Sequence, residues 1–434
     1  MTPDIWLVVL CTFGLLVALG ATTGLVNELL WASEPLACAL AGVALGPAGF
    51  GLLRLDPAAN PLHAEILREA ARITLAIAVT AAAMRLPRHW VRGNWRGLGV
   101  ALLPGMLLMT LAGALVGAAT LGLPLLPCLV LGAAVAPTDP VLSAPILTGR
   151  LAQRAVPHEL RHAMTAESGI NDGLGLPLVM LPILLTRHGP AEAAGDWLVH
   201  VLAWEIGGAV LVGAAAGWLT SLCMAWSRNR PDSEKASLLT VTISLALATT
   251  AGVRLLGGDE ILAAFVAGAV MNNTNREFKV EEHHERFTEA LGRFFDLPVM
   301  ILFGAAIPWA AWSGLGWAGA AFAAGILLLR RLPAWLLLGR LMPWTRSVRS
   351  ALFAGWFGPI GAAALFYAMM IQDETGSAAL WPAISLAVGA SVLAHGVTGT
   401  PFTRLFGGEP VTGQPKGGKA DAPKDEEEEE ASTG

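Results

Sequence analysis

Charge is what this 434-residue chain has least of: Asp, Glu, Lys and Arg make up 14% of it, against 54% hydrophobic residues and a mean hydropathy of +0.59. That scarcity excludes a string of soluble domains, which at this length would need far more charged surface. The stretch from Gly407 onward holds three lysines against eight acids and alone accounts for the net charge of −5. The rest balances 25 basic against 25 acidic residues, which leaves no basic surface for a nucleic acid. Cysteine is sparse too. Cys11, Cys38, Cys128 and Cys223 lie in apolar segments without CxxC spacing, so they read as small packing residues. The GxSxG elbow and the Gly-rich phosphate-binding loops are missing, which removes the enzyme classes built on them. Residues 5–26 have no basic region before them and no clear cleavage site, and are expected to be a retained helix.

What the chain does have is apolar runs, each long enough to cross about 30 Å of hydrocarbon. Thirteen spans are expected, near 5–26, 35–51, 65–84, 97–119, 123–148, 157–185, 197–226, 237–254, 259–273, 287–308, 317–339, 350–371 and 379–399. Loops after odd-numbered spans 3 to 11 carry sixteen Lys and Arg, whereas the opposite loops carry only Arg54, Arg187 and Arg254. Basic loops stay inside. The N-terminus is therefore expected outside and the C-terminus in the cytoplasm. The whole reads as an all-α polytopic membrane protein, with a membrane domain over 1–406 and an acidic, disordered cytoplasmic tail over 407–434. Five basic residues remain inside spans: Arg68, Arg72, Arg293, Arg330 and Arg331. The first two lie near the start of span 3, where they can snorkel to the interface.

Two spans contain helix breakers. Span 5 reads LPCLVLGAAVAPTDPVLSAPIL, with Pro137 and Pro140 bracketing Thr138 and Asp139; span 12 contains FAGWFGPIGAAALFY. A proline removes an amide donor and frees carbonyls that something else must satisfy. Spans 5 and 12 are seven apart and so cross in opposite directions. Broken helices in two inverted halves point to a transporter with its site at the midplane.

Span 6 begins VPHELRHAMTAESGINDG. At 1.5 Å per residue, Glu167 lies about 14 Å beyond His158 and Asp172 about 21 Å, level with Asp139. Glu167 and Asn171 share one face, as do Ser168 and Asp172. Asp139, Asp172, Ser168 and a freed Thr138 carbonyl offer the oxygen ligands that a small monovalent cation needs once it sheds water. Burial and mutual repulsion give the same carboxylates a raised affinity for protons. A site that takes either a cation or a proton is the minimum for exchange. His158, Glu159 and His162 match the HExxH zinc-protease pattern, but lie in the first turn at the cytoplasmic rim with no third ligand following. An intramembrane zinc protease and a cation-conducting channel are the alternatives.

In order along the chain, APTDPVL, AESGINDG, GGDEILAAFVAG, FFDLPVMILFGAAIPW, LRRLPA and ALFAGWFGPIGAAALFYA resemble the monovalent cation/proton antiporter family over roughly residues 30–400. VPHELRHAMTAESGINDG and GPIG look most like the subgroup with the NhaP-type and fungal plasma-membrane Na+/H+ antiporters. The resemblance implies two inverted repeats with crossed broken helices, and a homodimer in the plasma (inner) membrane. A core of about 97–185 and 317–399 would work against a dimerisation scaffold, without a cofactor. It implies exchange of Na+, Li+ or K+ for H+, with Asp139 and Asp172 as carriers, Thr138 and Ser168 as neutral ligands of the Na+ ion, and Glu167 at the edge. Asn171 stands where electrogenic relatives carry another aspartate, which implies electroneutral exchange. It would bond Glu167 and an arginine of span 11, either Arg330 or Arg331. Many relatives have arginine in the span-12 break where this chain has Ile360, so the positive charge there is unassigned. Asp259, Glu260 and Asp296 are secondary candidates. The first two either attract cations or cap span 9, and Asp296 is placed to pair with Arg293. His395 reads as a packed, hydrogen-bonded histidine.

Overall fold

A computed structural model describes residues 10, 12–15, 17, 33–140, 142–228, 237–274, 282–345 and 347–408. Most of the expected first span and nearly all of the acidic tail lie outside them. Every regular element among the described residues is a helix. Fifteen of them, in chain order, are α1 (Glu34–Leu45), α2 (Pro61–Arg85), α3 (Trp95–Leu121), α4 (Leu125–Ala134), α5 (Ala144–Leu147), α6 (His158–Arg187), α7 (Pro190–Ser227), α8 (Leu238–Leu255), α9 (Glu260–Thr274), α10 (Glu282–Ala305), α11 (Trp309–Leu329), α12 (Leu332–Leu338), α13 (Val348–Trp356), α14 (Ala362–Thr375) and α15 (Trp381–Gly407). Among the described residues, six helical stretches are long and apolar enough to cross a membrane: α3, α6, α7, α8, Trp309–Leu341 and α15. The chain is an integral, multi-pass membrane protein.

Local chemistry sets the helix starts. Asn60 caps α2 by accepting the Leu62 amide at 3.0 Å, with Pro61 in the first turn. Pro157 is the N-cap residue of α6, where its missing amide is not needed. With 30 residues, α6 is about 45 Å long and outreaches the hydrocarbon layer. It runs through the middle of the bundle, whereas α7 lies mostly at the periphery.

Several boundaries differ from the hydropathy reading. α7 begins at Pro190 and passes through a π-helical stretch at Trp197–Ile206. α11 begins at Trp309, turns at Gly316 (φ 52°, ψ −135°) and stops before Arg330 and Arg331. Arg72 does not snorkel. It is buried and pairs with Glu69 and Glu260, because α9 and α2 pack side by side and bring an acid to it. Arg68 likewise pairs with Glu65 and Asp373. Cys38 and Cys128 are buried as expected, but Cys223 is exposed on α7.

The helix leading into the first break is held at backbone distance. A Cβ on Gly132 would strike the Thr110 carbonyl and lie 2.7 Å from the Ala114 amide nitrogen, and a Cβ on Gly113 would lie 3.0 Å from Gly132 Cα. Small residues let α3 and α4 touch in lipid, where dispersion rather than water expulsion drives association. Gly132→Val should therefore cost at least the ~1–3 kcal/mol typical of overpacking. The expected reading is a lowered midpoint of thermal unfolding in detergent, and an unchanged midpoint would show that α3 and α4 do not rest on this contact.

Candidate functional site

The two broken helices cross. α4 ends at Ala134 and α13 at Trp356, and the non-helical residues that follow each, 135–140 and 357–361, are buried. The Asp139 amide donates to the Pro359 carbonyl of the opposite break at 2.9 Å. Its carboxylate accepts from Leu142 N at 3.0 Å and from Ala362 N, the first residue of α14, at 2.9 Å. An acid at a helix N-terminus is where the dipole favours negative charge. Gly361 permits the approach, since any Cβ there would strike Asp139 Oδ2.

The opposite charge sits at the opposite ends. Arg330 donates to the carbonyls of Val135 and Ala136, both at 2.8 Å, and to the carbonyl of Gly358. One guanidinium thereby satisfies the C-terminal side of both breaks, and the positive charge left unassigned by Ile360 comes from here. His395 is buried and packed, with Nε2 2.8 Å from the Trp356 carbonyl and Nδ1 3.1 Å from Ser391 Oγ. That Ser391 hydroxyl accepts the Ile360 amide at 2.7 Å.

α6 meets the first break along one face. Thr138 N donates to Asn171 Oδ1 at 3.1 Å, Asn171 Nδ2 donates to Thr138 Oγ1 at 2.9 Å, and the hydroxyls of Thr138 and Ser168 are 3.0 Å apart. Asn171 also donates to Glu167 Oε1 at 3.0 Å. Arg331 grips Glu167 with both nitrogens, at 2.6 and 2.9 Å, and lies over the Trp335 ring. The expected bond from Asn171 to an arginine is corrected accordingly. Both polar ends of Asn171 are already committed to Thr138 and Glu167, so the guanidinium takes the carboxylate instead. Arg331, not Arg330, is the one that reaches the α6 cluster.

Asp172 differs from all of these. It is 1% exposed, and neither carboxylate oxygen has a hydrogen-bond partner. Tyr367 on α14 donates to the carbonyls of Asp172 and Gly173, fixing the backbone under the free carboxylate. Tyr367 was missed in the sequence, although it is the chain's single tyrosine and lies in the apolar run after the second break.

The secondary candidates fall elsewhere. Asp259 caps α9, Glu260 pairs with Arg72 at 2.7 Å, and Asp296 is buried on α10 with both oxygens unbonded. The Arg293 side chain lies outside the described residues, and so does its expected pairing. At the start of α6, Glu159 accepts from Trp90 Nε1 at 2.9 Å and lies 3.4 Å from His158, so HExxH contributes to a side-chain cluster at the rim.

The Glu167–Arg331 pair is fully enclosed, and opening such a pair from one side costs about 3–5 kcal/mol. Arg331→Ala should lower thermal stability in detergent strongly, whereas Glu167→Leu combined with Arg331→Met should recover most of the loss. A double variant no better than the single one would show that the pair is not the stabilising unit.

The family model described as sodium/hydrogen exchanger, transmembrane, matches residues 14–405. The Na(+)/H(+) antiporter of Saccharomyces cerevisiae is 28% identical over 407 residues, which cover 86% of this chain and 40% of that protein. The Na(+)/H(+) antiporter of Schizosaccharomyces pombe is 30% identical over 386 residues, covering 82% of this chain and 81% of that protein. The chain spans only 40% to 49% of the length of three of the curated relatives it matches. The solved structure of the sodium proton antiporter MjNhaP1 from Methanocaldococcus jannaschii superposes with a TM-score of 0.68 at 17% identity, covering 93% of this chain and all of that one. At that identity the likeness shows a shared fold.

Proposed function

The chain belongs to the sodium/hydrogen exchanger family, and we propose that it exchanges Na+ for H+ at Asp172 and Asp139 by making the two compete for one site. The observation that carries this reading is the Asp172 carboxylate, sealed from solvent with two unbonded oxygens. A buried charge in that state demands a counter-ion, and a proton or an alkali cation supplies it. Ser168 precedes Asp172 by four residues on the same α6 face, and its hydroxyl lies 3.0 Å from that of Thr138, so the two would serve as neutral oxygen donors able to replace part of a hydration shell. Asp139 contributes its negative charge while its oxygens remain tied to two backbone amides.

Charge counting supports a ratio of one cation to one proton. Counting the charges at the crossing alone, Asp139, Glu167 and Asp172 face two guanidinium groups, Arg330 and Arg331. The cluster is therefore short of one positive charge, and either a proton or Na+ makes it neutral. Asn171 is the reason the count closes, since an acid in its place would need a second cation. The same oxygen donors suit Li+ and, less tightly, K+. In this reading the helices carrying the crossing, α3–α6 and α11–α15, move as one body against the rest, and only a neutralised cluster crosses the apolar midplane. The bias of basic residues orients the N-terminus outside.

Asp172→Asn should abolish Na+-driven proton flux in proteoliposomes loaded with a pH-sensitive dye, under pH jumps with Li+, Na+ and K+ in turn. Retained flux would remove Asp172 from the mechanism, and current carried under an imposed voltage without a pH gradient would indicate a channel. Asn171→Asp should make the flux respond to membrane potential. A flux equally indifferent to potential in both forms would contradict the charge count.

A further inference from the structure

Beyond the crossing, the first turn of α9 lies directly against α6. A Cβ on Gly173, the residue after Asp172, would lie 2.7 Å from Leu262 Cβ and 2.9 Å from the Leu262 amide nitrogen. That amide and the Ile261 amide both donate to Asp259 Oδ1, at 2.9 and 3.0 Å. Asp259 is thus the N-cap of α9, seated one residue layer from Asp172. A cap needs one oxygen, and serine or asparagine provides it as well as aspartate does. The second oxygen of Asp259 is buried and has no hydrogen-bond partner, and the residue is only 3% exposed. Its charge is surplus to starting the helix.

Glu205 stands on the other side of Asp259. Its carbonyl accepts the Asp259 amide at 3.1 Å, and its own Oε2 is buried without a partner. It lies in the π-helical stretch of α7, a geometry that often marks functional positions. The acids around the pair are already neutralised, Glu260 by Arg72 at 2.7 Å and Glu374 by Arg187 at 2.9 Å. Asp259 and Glu205 have no basic partner among the described residues. Glu205, Asp259 and Asp172 therefore follow one another through touching elements, from the face bearing Arg187 and Arg254 toward the crossing, each with an oxygen that the fold does not use.

We propose that Asp259 and Glu205 form a second, transient station for the transported cation, between the Arg187 face and Asp172. The proposal rests on the exchange reading above. A cation arriving from that face exchanges part of its water for the free oxygens of Glu205 and Asp259 before passing to Asp172, and the opposite face has no need of it.

Sidedness provides the test. Sodium-dependent proton flux is measured in right-side-out and inside-out membrane vesicles carrying the full chain, Asp259→Asn, Asp259→Ser or Glu205→Gln. The Asn and Ser variants keep the cap and should retain the wild-type thermal midpoint, which separates them from an Asp259→Ala variant that loses it. All three charge-removing variants should raise KM for Na+ presented at the Arg187 face about tenfold, a loss of about 1.4 kcal/mol, with KM at the opposite face unmoved. Equal KM changes at both faces, or none at either, would overturn the station. A wild-type chain without sodium-dependent proton flux would instead overturn the exchange reading beneath it.

Discussion

A helix that stops inside a membrane leaves amides and carbonyls that no water can satisfy, and the rest of this protein is organised around two such stops meeting at one point. The amides find Asp139, whose carboxylate takes Leu142 N and Ala362 N. The carbonyls of Val135, Ala136 and Gly358 find Arg330. Negative charge thus sits at a helix start and positive charge at helix ends, as the dipoles require. Neither residue can move far without exposing backbone polar groups to an apolar interior.

That constraint divides the labour among the acids. Glu167 is spent on Arg331 and Asn171, and Asn171 on docking α6 to Thr138. Asp139 is spent on the backbone. Asp172 is left with charge and no donor, on the α6 face that also carries Ser168. At the crossing, Asp139, Glu167 and Asn171 are matched among the groups that hold the fold, and Asp172, the group proposed to carry the ion, is the remainder. In the proposed exchange, the cost of leaving a carboxylate unmatched is what couples the site to whichever positive species is present.

The parts of this arrangement that were legible in the sequence are those with a local signature. Prolines flanking Thr138 and Asp139 inside an apolar run announce a break, and the four-residue spacings Glu167–Asn171 and Ser168–Asp172 announce shared helical faces. The choice between Arg330 and Arg331 was not legible. Adjacent residues leave a helix in different directions, and only the stop after Leu329 sends one to the breaks and the other to Glu167. The burial of Arg72 escaped for a similar reason, because its partner Glu260 comes from a distant helix. The closeness of Asp259 to Asp172 depends on Gly173 admitting Leu262, and a glycine in a membrane helix does not announce what it admits. Tyr367 was readable as a lone polar ring in an apolar run, but its target, a backbone carbonyl, has no sequence signal.

If the exchange works by competition, a proton and a sodium ion cannot occupy the Asp172 site together. Calorimetric titration of the purified protein with NaCl, repeated in buffers of different ionisation enthalpy, counts the protons released as the ion binds. Release of about one proton per Na+ near the midpoint of the site's titration, vanishing in Asp172→Asn, is the result this account requires. Sodium binding with no proton release at any pH would contradict it.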